Sequence, residues 1–148
     1  MNTLSPTTQV LTVTTECANS IVMAALKASH EAGFALAIAV VDAGGALKAF
    51  GRSDGAPFLT VDVSINKAWT AASFGFSTDV WNDFMVNPKV APLSNHPRRT
   101  PVGGGYPLLQ DGQIVGGIGV SGGKYDQDRD VALAVLQGVG FGNPTSLG

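Results

Sequence analysis

Apolar side chains along this chain alternate between two spacings, and the switches divide it into elements. From 14 to 31, Cys17, Ile21, Ala24, Ala25 and Ala28 recur at steps of three and four, which predicts a helix. Gly33 supplies the left-handed residue that ends one. Residues 34–41, FALAIAVV, are an unbroken apolar run; Asp42–Gly45 offers turn residues, and 46–51 returns with alternation. This predicts a hairpin whose first strand is buried on both faces.

After Pro57, a second helix is expected over 60–74, with Val61, Ile65, Ala68 and Ala72 along one side. A short helix follows, capped by Thr78 or Asp79 and ended by Pro88. Residues 94–107 read as a loop. Asp111-Gly112 then marks the turn of a second hairpin, because a type I′ turn needs positive φ at both positions. The fourth helix is expected over 126–138, with Val131, Val135 and Val139 on one side. Asp126, Asp128 and Asp130 in its first turn complement the helix dipole. Hairpins demand antiparallel pairing and the helices must cover that sheet, so the fold class is α+β. The expected organisation is an N-terminal arm over 1–13, one domain over 14–142 and a C-terminal tail over 143–148.

Composition narrows the function. Charged residues are 14% of the 148 against 45% hydrophobic. Soluble domains usually carry about 25% charge, so part of this surface is expected to be covered by another subunit, as in a homo-oligomer. The formal net charge of −2 and the lack of clustered basic residues argue against nucleic acid. No apolar run nears the roughly 20 residues that span a bilayer, and no secretory leader is evident, so cytoplasmic residence is expected. Cys17 is the single cysteine and sits in an apolar stripe, a small core residue.

Several motifs fail on context. Gly117–Gly122 matches G-x-G-x-x-G, but it lies inside a hairpin arm with no second parallel strand to follow, so close backbone packing is the better explanation. SGGKYD lacks the Ser or Thr after lysine that a phosphate-binding loop needs. No G-x-S-x-G occurs, and His30 and His96 do not form a metal-ligating spacing.

The informative stretch is SNHPRRTPVGGGYPL, residues 94–108. Arg98 or Arg99 with the backbone of Gly103, Gly104 and Gly105 has the chemistry to hold a carboxylate or phosphate. Being adjacent, the two arginines are not expected to face one ligand. Tyr106 offers a hydroxyl or a stacking ring. His96 suits proton transfer or an axial position on iron, and equally a solvated loop. Lys67, among Val63, Thr70 and Ala71, either points into a cleft or snorkels to solvent.

AIAVVDAGGALKAFGRSDGAPF, DVSINKAWTAASFG, GGGYPL and DGQIVGGIGVSGG, with DQD after them, resemble the GlcG/HbpS-like proteins, related to the C-terminal domain of PduO corrinoid proteins. The resemblance spans about residues 15–140 in one order. It implies a profilin-like fold, homo-oligomers and, in some members, haem binding. The positions that match are Asp42, Gly44, Gly45, Arg52, Asp54, Gly55, Ala56, Lys67, Ala68, Gly103–Gly105 and Pro107; NHPRR at 95–99 departs from the pattern. The resulting expectation is an oligomeric protein holding a small anionic or carbonyl-bearing ligand, or haem, between the second helix and the 94–107 loop. Lys67, Asp54, Arg98, Arg99, Gly103–Gly105 and Tyr106 would bind it, with His96 as the metal ligand if it is haem. The rival expectation is a cofactor-independent isomerase, lyase or cyclase in which Lys67 and His96 perform acid–base chemistry.

Overall fold

In the computed structural model, which describes residues 3–141, the first helical period becomes α1 (Thr15–Ala32). Thr14 Oγ1 caps it by accepting the Cys17 N–H, and Gly33 closes it at φ +84°. The first hairpin is β1 (Ala37–Asp42) and β2 (Leu47–Arg52), its turn held by Asp42 Oδ1, which accepts the N–H groups of Gly44 and Ala46. Helix α2 spans Leu59–Phe74 and α3 spans Thr78–Phe84.

Two expectations at α3 need correction. Its cap is Ser77, whose hydroxyl accepts the Val80 N–H, and it ends at Phe84, ahead of Pro88. The loop that follows also contains a 3₁₀ turn, Ala91–Asn95. The second hairpin pairs β3 (Gly105–Gln110) with β4 (Gln113–Ser121), and Asp111 and Gly112 both take positive φ, 51° and 78°. Helix α4 covers Tyr125–Gly138.

The sheet runs β2-β1-β4-β3, antiparallel throughout. Each hairpin contributes one edge strand, and β1 and β4 join them at the centre. Helices α1 and α4 cover one face through Ile21, Ala25, Val131 and Leu136, packed on Ile38, Val40, Leu108 and Ile118. Helix α2 covers the other face over Ala39 and Val41, so β1 is buried on both sides as its unbroken apolarity implied.

Glycine in β4 decides how close α2 comes. A Cβ on Gly117 would overlap the Ala68 carbonyl, and one on Gly119 would overlap the Ser64 carbonyl and stand 2.6 Å from Ala68 N. Helix backbone therefore rests directly on strand backbone, which is the structural use of the G-x-G-x-x-G letters. The same contact extends to β3, where a Cβ on Gly105 would stand 2.6 Å from Lys67 O. Pressing α2 this deeply into the sheet carries the Lys67 side chain into the interior.

Residues 3–14 form no helix or strand, yet the end of this lead-in is docked: Val13 N–H donates to Val115 O, and Thr12 Oγ1 accepts the Ala43 N–H. The tail expected over 143–148 lies outside the described residues.

Candidate functional site

Where α2 passes the β4–α4 turn, a cleft of about 420 Å³ opens. Leu59, Thr60, Val63 and Lys67 come from α2; Thr100 and Val102 from the loop; Ser121–Gly123, Tyr125 and Asp128 from the end of β4, the turn and α4. Leu59, Val102 and Tyr125 are exposed and give it an apolar rim. Its inner end is polar.

There Lys67, 2% exposed, donates from Nζ to Val120 O at 2.8 Å and to Asp128 Oδ2 at 3.2 Å. Asp128 Oδ1 in turn accepts the Gly123 N–H at 2.9 Å. The lysine is therefore neither snorkelling nor a free cation. Burial pushes the Lys67 ammonium below the ordinary lysine value, with Asp128 and Asp79 acting in the opposite direction. Burial likewise pushes the Asp128 carboxyl above the ordinary value, against Lys67 and the Gly122 and Gly123 N–H groups. Taking either charge out of water favours its neutral form. Among the described residues Lys67 and Asp128 are the only charged side chains lining the cleft, and their charges cancel.

The three glycines stand behind this pair and are buried. Gly104 has φ +122°, and a Cβ there would stand 3.0 Å from Lys67 Nζ. Gly103 leaves room for Asp79, whose Oδ1 would be 2.6 Å from a Cβ, and Gly105 N–H donates to Thr78 Oγ1 at 2.8 Å. They make room for the protein's own side chains. Tyr106, also buried, donates its hydroxyl to Asp79 Oδ2 at 3.3 Å, and burial raises its pKa above the ordinary phenol value.

The other expected site residues lie elsewhere. His96 is exposed and stacks on Trp69 at 5.0 Å and 16°, its Nδ1 accepting the Arg98 N–H. Trp69 is two residues beyond Lys67, about 200° round the helix. The structure does not bring Lys67 and His96 into one site. Arg98 lies 4.9 Å from the Trp69 ring centre and donates from Nε to Asn66 Oδ1. Arg99 turns instead to Trp81, 4.1 Å from its ring centre, with Nε and Nη1 buried and unbonded. Burial lowers its pKa. Adjacent side chains diverge, as expected. Asp54 lines a separate hollow of about 430 Å³ with His30, Phe34 and Ser53.

Sequence reasoning found Lys67 and missed Asp128, treating it as a dipole partner. One signal was available: Asp128 shares the helical stripe of Val131, Ala132 and Val135, all buried. A carboxylate in an apolar stripe needs a partner. Among the described residues no cluster of His, Cys, Asp and Glu is arranged to hold a metal ion, and no helix is long and apolar enough to cross a membrane.

The HbpS-like family model, described as haem degrading protein HbpS-like, matches residues 13–137. An uncharacterised 15.0 kDa protein from the dhaT-dhaS intergenic region of Citrobacter freundii is 33% identical over 132 residues, which cover 86% of this chain and 92% of that one. The fold is similar to HbpS of Streptomyces reticuli, solved as a double mutant, with a TM-score of 0.86 and 30% identity over 95% of this chain and 96% of that one. It is also similar to a PduOC:heme complex, with a TM-score of 0.81 and 25% identity over 89% and 98% of the two chains. The corrinoid adenosyltransferase PduO of Salmonella typhimurium is longer, and the match covers 36% of it.

Proposed function

The chain belongs to the HbpS-like family, and from that premise we propose that it binds a small molecule in the cleft between α2, residues 100–102 and the β4–α4 turn. One observation carries this reading: a buried Lys67–Asp128 pair forms the charged end of a mainly apolar, solvent-open cleft. Its volume of about 420 Å³ falls within the range of small-ligand sites. Because the two charges cancel, the cleft favours an uncharged ligand with a carbonyl over a carboxylate or phosphate. The ligand's apolar body would lie against Leu59, Val63 and Val102, with its carbonyl toward Lys67. Exposed Phe58, Phe74 and Val86 support self-association as part of this reading, since large apolar surfaces are commonly covered by partners.

Haem is the second reading, favoured by the family description and by the relative solved as a haem complex. The cleft residues do not fit a histidine-ligated haem: among the described residues no His, Cys or Met lines the cleft, and His96 sits on Trp69.

Thermal melts test both readings. Short uncharged aldehydes and ketones should raise the melting temperature of the wild type, by mass action, more than the matching carboxylates do. Val63→Phe, which fills the cleft, should abolish the rise. Equal stabilisation of wild type and Val63→Phe would move the site away from the cleft. In a haemin titration, a shifted Soret band that Val63→Phe removes would put haem in the cleft and favour the second reading. A band removed by His96→Ala would assign haem to the Trp69 side.

A further inference from the structure

A lysine nitrogen at the inner end of an apolar cleft becomes a nucleophile once it sheds its proton. We propose that Lys67 captures an aldehyde or ketone covalently as an imine, an inference that rests on reading the cleft as a carbonyl-ligand site.

The geometry supplies what the step needs. Nζ donates to two acceptors, Val120 O and Asp128 Oδ2; passing the proton along the second bond leaves a lone pair facing Asp128, and rotation about Cε–Nζ turns it to the third tetrahedral position. Lys67 and Asp128 both line the cleft, which is the side from which a carbonyl would approach Nζ. Asp128 is the proton's other home: it lies 3.2 Å away, equally buried, and is anchored by the Gly123 N–H so that it does not swing off. Burial is the largest influence on both groups and destabilises both charges, which eases transfer of the proton from ammonium to carboxylate. Asp79 on α3 opposes this by favouring the ammonium.

In the step, neutral Nζ attacks the carbonyl carbon and forms the C–N bond. The carbonyl π pair moves to oxygen, which takes the proton from Asp128, while Asp128 recovers one from nitrogen. The resulting carbinolamine loses its hydroxyl, protonated by Asp128, as water. A protonated imine remains beside the Asp128 carboxylate. The balance is amine plus carbonyl to imine plus water, without oxidant or reductant, and the site's net charge is unchanged.

The test uses butanal as probe and cyanoborohydride to trap the imine, with peptide mass mapping at pH 7. A lysine whose pKa is lowered carries more of its neutral form at pH 7, so a single butyl group should appear on Lys67 ahead of Lys27, Lys48, Lys89 and Lys124. Lys67→Arg, which keeps the charge but cannot form the imine, should lose the fast label; should that variant not fold, the wild-type map decides alone. Melts with butanal, without the trapping reagent, separate the two readings. Stabilisation by butanal with no preference for Lys67 overturns the imine and leaves the binding cleft standing. Neither stabilisation nor labelling overturns both.

Discussion

Replacing Asp128 with alanine strands the Lys67 ammonium. Side-chain exposures of 2% and 3% mean that neither partner can recover its charge's solvation by turning outward. Removing one half of such a buried pair costs about 3–5 kcal/mol, because an uncompensated charge stays in the interior. The Gly123 N–H, bonded to Asp128 Oδ1, loses its acceptor as well. In a chain of this size that corresponds to a fall in melting temperature of roughly 6–20 °C. Arg129–Asp130, at 3.3 Å with exposures of 38% and 71%, is the internal control. Asp130→Ala should cost far less than Asp128→Ala, because water screens an exposed pair. Urea unfolding of wild type, Asp128→Ala, Asp130→Ala and the apolar double replacement Lys67→Met/Asp128→Leu makes the comparison. The double replacement should recover most of the stability lost in Asp128→Ala, since it leaves no buried charge. Similar costs for Asp128→Ala and Asp130→Ala would mean that the pair is solvated, and the account of the cleft's polar end would fail.

The glycines make a paired prediction. Gly119→Ala drives a methyl into the Ser64 carbonyl and should cost about 3 kcal/mol or more, whereas Gly112→Ala meets no atom and pays only for its positive φ, about 1–2 kcal/mol; similar losses in urea unfolding would refute the close α2–β4 contact. The pair also predicts a pH signature. Lys67 has a lowered pKa when folded, so the unfolded chain binds more protons between that value and 10.5, and stability should rise with pH across this window. Asp128, raised from 3.8, acts oppositely, and stability should fall as pH climbs from 3.8 through its folded value. Both slopes, measured as the difference from Lys67→Met/Asp128→Leu, should have these signs; a flat difference would refute the shifts.

Local sequence determined the elements. Periods of two and three to four, the turn residues Asp42–Gly45 and Asp111-Gly112, and Gly33 at a helix end act within a few neighbours, so hairpins, helices and an antiparallel sheet were legible residue by residue. Motif order identified the family for the same reason, since it is a property of the chain itself. The site was only half legible. Lys67 stood out as a lysine among small apolar side chains, but its partner is 61 positions away on α4, and no local rule joins them. Tertiary packing made that pair: the β4 glycines lower α2 onto the sheet, which aims Lys67 at the α4 N-terminus, where Asp128 faces inward. Packing also parted what the sequence placed together, sending Arg98 to Trp69 and Arg99 to Trp81 and leaving His96 across the helix from the cleft. Neighbours along a chain share a turn, whereas neighbours in a site are chosen by which faces the core has buried.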